Sequence, residues 1–156
     1  MFESLENTSL AIWVGESLWG YPLMLGSHAI GLAIVVGLFL MLDLRIIGFN
    51  KGVAFDSFLR LFRLAWIGLA INATSGFALF SSQATIFIES APFLIKITCI
   101  LLGVVTAVLI RRQLTANAAA WDASAEKATG VIRPLAIASI ACWIAAICAG
   151  RLIAYL

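Results

Sequence analysis

Four long runs of apolar residues dominate the hydropathy pattern of the chain. Each run holds about 20 residues, the length that an α-helix needs to cross the roughly 30 Å hydrocarbon core of a bilayer. Backbone amides in lipid must pair within their own segment, so runs of this length predict helices, whereas barrel strands would be shorter and would alternate. We expect spans at about residues 21–44, 59–80, 92–110 and 134–156.

Residues typical of helix ends support these boundaries. Gly48 follows the first run, Asp56 and Ser57 can cap the second, and Pro134 lies at the start of the fourth. The pattern therefore predicts an all-α, up-down-up-down four-helix membrane bundle that forms a single domain over residues 1–156.

Two segments outside the spans also have helical character. Between Thr8 and Gly20, apolar residues recur at helical spacing beside Glu16, and Trp19 and Tyr21 follow, which predicts a short interfacial helix. The stretch from Arg112 to Thr129 is expected to continue the third span as an exposed helical extension.

Composition limits the possible classes of protein. Hydrophobic residues make up 63% of the chain and charged residues 12%, and the mean hydropathy is +1.07. A domain of 156 residues has too much surface to bury that many apolar groups in water. These values exclude a disordered tail, a nucleic-acid-binding module and an ordinary water-soluble enzyme.

The distribution of basic residues predicts the orientation. Eight of the ten lysines and arginines lie around the loops after spans one and three, and cytoplasmic loops carry such an excess. We therefore expect a multi-pass protein of the bacterial inner membrane with both termini in the periplasm. No basic segment precedes the first apolar stretch, which argues against a cleaved signal peptide.

Three polar residues inside the spans are the candidate functional group. His28 is the only histidine and lies about 10 Å into span one at 1.5 Å per residue. Lys96 and Arg151 lie near the outer ends of spans three and four. Charged residues within a membrane usually face the bundle interior and have partners, so we expect these three side chains to converge.

Such a cluster suits haem b. A neutral imidazole is a common axial ligand of haem iron, which makes His28 the candidate metal ligand. Lys96 and Arg151 would bind the two propionates, and Trp143 would contact the ring. Met24 lies one turn from His28 on the same helix, so it is poorly placed for the opposite face of the iron. The sequence does not identify the sixth ligand of the haem iron.

Simpler interpretations of the same residues exist. His28 could be hydrogen-bonded to a backbone carbonyl, or to Asn72 or Ser75, and Lys96 and Arg151 could extend to the outer headgroups. Asp43 is expected to pair with a basic residue at the inner end of the bundle, from the set Arg60, Arg63 and Arg111. The three cysteines have no metal or redox spacing and are interpreted as packing residues.

Each span also carries a stripe of small or polar residues, which favours close helix packing. The stripes are Met24, His28, Gly31, Val35 and Leu42; Gly68, Asn72, Ser75 and Gly76; Lys96, Cys99, Gly103 and Thr106; and Ser139, Trp143, Ile147 and Gly150.

Several strings of the chain resemble an uncharacterised, domain-of-unknown-function family of small four-helix bacterial inner-membrane proteins. They are HAIGLAIVVGLFLMLDLRIIG (28–48), Trp66, SGFALF (75–80), PFLIKI (92–97) and GRLIAY (150–155). That resemblance implies a fold and no activity. The chain is also distantly similar to the copper-resistance protein D and diheme cytochrome b bundles, which implies haem or copper chemistry. The single histidine departs from the diheme pattern.

Three classes of function remain open at this stage. The first is a haem protein that passes electrons between membrane quinone and a periplasmic partner. The second is a copper-handling or small-solute transport protein that uses Met24 and His28, and the third is an accessory subunit of a larger membrane complex. A homo-oligomer is compatible with the glycine content. The chain lacks the motifs of hydrolases and kinases, and no nucleic-acid partner is expected.

Overall fold

The computed structural model describes residues 2–49, 51–123, 130, 132–153 and 155. These residues form seven α-helices and no β-strand. The helices are α1 (Phe2–Glu6), α2 (Ser9–Glu16), α3 (Gly20–Ile47), α4 (Phe55–Ser81), α5 (Ala84–Glu89), α6 (Ala91–Ala123) and α7 (Arg133–Leu152). Four of them, α3, α4, α6 and α7, are long and apolar enough to cross a membrane. The protein is an all-α, four-helix integral membrane bundle, as the hydropathy pattern predicts.

The observed helices are longer than three of the predicted spans. Helix α3 ends at Ile47 and is followed by Gly48, whose φ of 118° lies in the left-handed region that glycine tolerates best. Helix α4 begins four residues before the predicted boundary, and α6 joins span three to its predicted extension as far as Ala123. The last six residues of that predicted extension, 124–129, lie outside the described part of the chain. Helix α7 has a proline in its first turn, where the missing N–H costs nothing.

The four long helices pack as two antiparallel pairs. Helix α3 lies along α4 and α6 lies along α7, and contacts of α3 with α7 and of α4 with α6 join the pairs. The core is largely aromatic and aliphatic, and it is built mainly from the half of the bundle near the α3–α4 loop. We call that half the basic end, and we call the opposite half, with α1, α2 and α5, the terminal end.

Polar contacts at the basic end satisfy helix termini. The carboxylate of Asp122 on α6 accepts a hydrogen bond of 2.8 Å from the backbone N–H of Phe55, the first residue of α4. The guanidinium of Arg133 donates to the carbonyl oxygen of Ile47 at 2.6 Å, which is the last residue of α3. Both contacts complete groups that the helices leave unpaired, and their charges complement the helix dipoles.

The short helices lie at the terminal end. Thr8 caps α2 by accepting a hydrogen bond from Ala11 N, so the predicted interfacial helix is present and somewhat shorter than expected. Ala11 and Val14 pack against the bundle, whereas Leu18 and Trp19 are 82% and 67% exposed. Apolar side chains in this position suit a membrane interface. The pattern did not predict α1 or α5, because each is too short to show a period.

The contact between α1 and α5 depends on one carboxylate. Glu6 Oε1 accepts hydrogen bonds from the backbone N and the hydroxyl of Thr85, at 2.8 and 2.7 Å. The two bonds hold the pKa of Glu6 below the ordinary value of a glutamate, the side-chain bond more strongly than the backbone bond.

This contact is expected to weaken in acid. A lowered pKa in the folded state means that the ionised form stabilises the contact, so its contribution is complete above the ordinary glutamate pKa of about 4.3 and is lost as the pH falls through the lowered value. The amide proton resonance of Thr85 should titrate with a midpoint below about 4.3. Glu6→Gln should abolish the titration and Glu3→Gln should leave it. A midpoint at or above the ordinary value would contradict the assignment.

Candidate functional site

A histidine in the terminal half of α3 is linked to α4. His28 is half-buried, and its Nδ1 lies 3.0 Å from the backbone carbonyl oxygen of Asn72. A carbonyl only accepts, so Nδ1 carries the proton and the Nε2 lone pair is left available. The hydrogen-bonded interpretation of His28, with Asn72 as partner, is confirmed.

Asn72 in turn donates a hydrogen bond to His28. Its side-chain Nδ2 donates to the carbonyl oxygen of His28 at 2.9 Å and lies 3.4 Å from His28 Nε2. Asn72 is only 6% exposed. Ser75, one turn further along α4, lies with its hydroxyl 3.4 Å from Nδ1. The imidazole is therefore fixed by α4 from several directions at once.

Glycines make this approach of the helices possible. A Cβ on Gly31 would lie 2.6 Å from Asn72 N and 2.8 Å from the carbonyl oxygen of Gly68, and a Cβ on Gly76 would lie 3.0 Å from the imidazole Cε1. Contacts this short leave no room for a larger residue. The small-residue stripes of spans one and two face one another, as their spacing predicts.

Lys96 on α6 completes the group. Its Nζ lies 3.4 Å from His28 Nε2, and its stem would lie 3.4 Å from a Cβ on Gly150 of α7. No carboxylate among the described residues forms an ion pair with Lys96. The group that we call the His28 site thus consists of His28, Asn72, Ser75 and Lys96 from three helices.

The other candidate residues lie apart from this contact. Arg151 is exposed and follows Gly150, so its side chain is outside the hydrogen-bonded group. Trp143 is buried in the core, where its ring stacks on Phe39 at 5.6 Å and lies against Gly103. Phe39 is 11 residues beyond His28, or about 16 Å along the helix, which places Trp143 at a different depth. Met24 is half-buried and has no polar contact with the His28 site.

Asp43 does not form the expected ion pair. It is 1% exposed, whereas Arg60, Arg63 and Arg111 are exposed, and none of the three pairs with it. The guanidinium of Arg111 instead lies 5.8 Å from the centre of the Phe62 ring. The prediction is wrong because helical position alone does not show that Asp43 faces α7 and the arginines face outward.

A protein-only metal site is not evident in the described part of the chain. It contains no group of three or more histidine, cysteine, aspartate or glutamate residues that could hold an ion. Cys99 and Cys142 are half-buried free cysteines and Cys148 is an exposed one, so the interpretation of all three as packing residues stays a prediction. Any metal bound at the His28 site would need most of its ligands from another molecule.

No family model matches the chain, and no curated protein or solved structure is significantly similar to it. The resemblance to a family of small bacterial membrane proteins, and the distant one to copper-resistance protein D and diheme cytochrome b bundles, therefore stay predictions. Function has to be argued from the His28 site itself.

Proposed function

We propose that the protein binds haem b in the terminal half of the bundle, with Nε2 of His28 as the axial ligand. The observation that supports this is the hydrogen bond from Nδ1 to the carbonyl oxygen of Asn72. Histidines that ligate metals usually donate the other ring N–H to such an acceptor, which fixes the tautomer and the orientation of the ring. When bound, haem would supply one-electron chemistry.

Lys96 is the candidate partner of one of the two haem propionates. Its ammonium has a nitrogen lone pair as its neighbour and pairs with no carboxylate of the described residues, so a propionate would supply the missing negative charge. Arg151, which is exposed near the same end of the bundle, is the candidate partner of the second propionate.

Binding would require movement. Lys96 Nζ stands 3.4 Å from the lone pair that would coordinate iron, so the flexible lysine stem must turn away first. The small cavity between α3 and α4, about 10 Å³ and lined by apolar residues around Phe39 and Phe62, is far too small for a porphyrin. A cofactor held by His28 and Lys96 would therefore need space that opens between the helices at the terminal end.

The orientation supports a role at the outer face of a bacterial inner membrane. The excess of lysine and arginine at the basic end favours a cytoplasmic location for that end, so His28 and both termini would face the periplasm. An electron could then pass between membrane quinone and a periplasmic redox partner.

The absorption spectrum of the purified protein tests the proposal. After expression with sufficient haem, or after reconstitution with haemin, we expect a Soret band in the wild-type protein and its loss in His28→Ala. Met24→Leu is the matched control on the same helix face, and it should keep the band because Met24 cannot reach the opposite side of the iron. A colourless wild-type protein, or a band that survives in His28→Ala, would refute haem ligation by His28.

A second candidate function rests on the same unpaired ammonium. An anionic solute, such as a carboxylate, would also find a positive charge at Lys96, and ionisable residues inside a membrane often mark substrate pathways. Carboxylate uptake into vesicles that contain the colourless protein, lost in Lys96→Met, would favour this function. Copper handling has less support, because only His28 and Met24 would provide ligands.

A further inference from the structure

A second polar group lies in the core, separate from the His28 site. Its members are Asp43 on α3 and Ser139 and Trp143 on α7, which are 1%, 0% and 2% exposed. Asp43 Oδ2, Ser139 Oγ and Trp143 Nε1 are all buried and have no hydrogen-bond partner among the described residues. Buried polar atoms are nearly always hydrogen-bonded, so three orphans at one helix contact call for a ligand.

The three side chains meet where α3 packs on α7. The Ser139 hydroxyl lies beside the Asp43 carboxyl group, but neither Ser139 Oγ nor Asp43 Oδ2 has a partner in hydrogen-bonding geometry. Trp143 is one turn after Ser139, and its ring stacks on Phe39, which is one turn before Asp43. Asp43 and Ser139 are therefore neighbours across this helix contact, and the Trp143 residue lies about one helical turn from them.

Among the residues that the structure describes, no counter-charge is available to Asp43. Arg45 donates to the carbonyl oxygen of Val53, and Arg133 donates to that of Ile47. The remaining charged residues described at the basic end are exposed, and Asp122 caps a helix terminus. They are Lys51, Asp56, Arg60, Arg63, Arg111, Arg112 and Asp122. An ionised Asp43 would thus be buried alone, which is far more costly than burying the neutral acid.

The donor and acceptor set identifies the ligand. An indole N–H only donates, a hydroxyl can do both, and a carboxyl oxygen accepts. A water molecule can accept from Trp143 and donate to Asp43 or Ser139, and buried waters typically make about three such bonds. A metal cation fits poorly, because the indole N–H would direct its positive end at the ion.

We propose that Asp43, Ser139 and Trp143 bind one water molecule and form a proton-binding site inside the bundle. The Asp43 carboxylate takes one proton from the aqueous phase at the basic end to become a neutral acid, and it releases the same proton in the reverse step. No electron moves. Asp43 lies 15 residues from His28, or about 22 Å along α3, so this site does not depend on haem binding.

Infrared spectroscopy of the haem-free protein in detergent provides the test. At neutral pH the wild type should show the C=O stretching band of a neutral carboxylic acid, which Asp43→Asn should remove. Asp56→Asn is the matched control, because Asp56 is exposed at the start of α4, and it should keep the band. A sharp water stretching band that shifts in ¹⁸O-labelled water should be present in the wild type and absent from Asp43→Asn and Ser139→Ala.

Each outcome bears on the proposal. Helical circular dichroism and gel filtration establish that a variant is folded, and the asparagine variant has nearly the volume of the wild type. Loss of both bands in folded Asp43→Asn supports the proposal. A carboxylic band that persists in Asp43→Asn, or no isotope-sensitive water band in the wild type, would overturn it, whatever the absorption spectrum shows about haem.

Discussion

Gly31→Ala is expected to destabilise the packing of α3 against α4. The added Cβ would lie 2.6 Å from Asn72 N and 2.8 Å from the carbonyl oxygen of Gly68. Both are backbone atoms of α4, which cannot turn aside as a flexible side chain could. Over-packing of this kind costs about 1–3 kcal/mol, and we expect the upper part of that range. Unfolding in mixed micelles of increasing SDS content, followed by helical circular dichroism, would measure the loss.

Gly37→Ala is the matched control for this experiment. Gly37 lies on the same helix, and a Cβ there would meet nothing within 4 Å, so the variant should be as stable as the wild type or slightly more stable, since alanine favours helix. Gly31→Ala should also displace Asn72 and with it the imidazole of His28. Equal stability of the two variants would show that α3 and α4 do not pack as closely as described.

The fold was predictable because lipid imposes a strong constraint. A run of about 20 apolar residues has few options other than a spanning helix, and the spans containing His28 and Asn72 were found on that basis. The extension of α6 past the third span was predicted, but as an exposed helix, whereas Leu114 and Trp121 in it are buried. The polar residues after Arg111 end the hydropathy signal, so the sequence did not show that one face of this extension packs. The hydrogen bonds between α1 and α5 are made by one carboxylate, that of Glu6, and no hydropathy pattern predicts this contact.

The His28 site was predictable only in part. Helical spacing shows which residues share a face of one helix, and the match of His28, Asn72 and Lys96 in depth followed from their positions in the spans. The same reasoning does not give the rotation of one helix against another or the direction of a long side chain. For that reason Trp143 was assigned to the site although it stacks on Phe39. Arg151 was likewise predicted to face the bundle interior although it is exposed.

The two polar groups of the bundle differ in how they are stabilised. His28 and Asn72 satisfy each other across α3 and α4, so this part of the site contributes to the packing of the helices. Lys96 has only the imidazole lone pair and the apolar surroundings of α6 and α7. An unpaired charge in such surroundings lowers stability, so packing gives no reason for Lys96, and the proposed ligand would supply one.

Lys96→Met should therefore stabilise the haem-free protein. The substitution keeps an unbranched apolar stem of similar length while removing an ammonium that would cost up to about 2.5–3.5 kcal/mol at mid-bilayer. Because Lys96 is near the end of its span, we expect a gain of about 1 kcal/mol, measured by the same SDS titration as for Gly31→Ala. Lys51→Met, in the exposed α3–α4 loop, should change stability little.

The gain in stability of Lys96→Met should be accompanied by a loss of function. We expect weaker haem binding under the main proposal, or no carboxylate uptake under the alternative. If Lys96→Met is instead less stable than the wild type, the ammonium has a stabilising partner in the folded protein, and its assignment as a ligand-binding group fails.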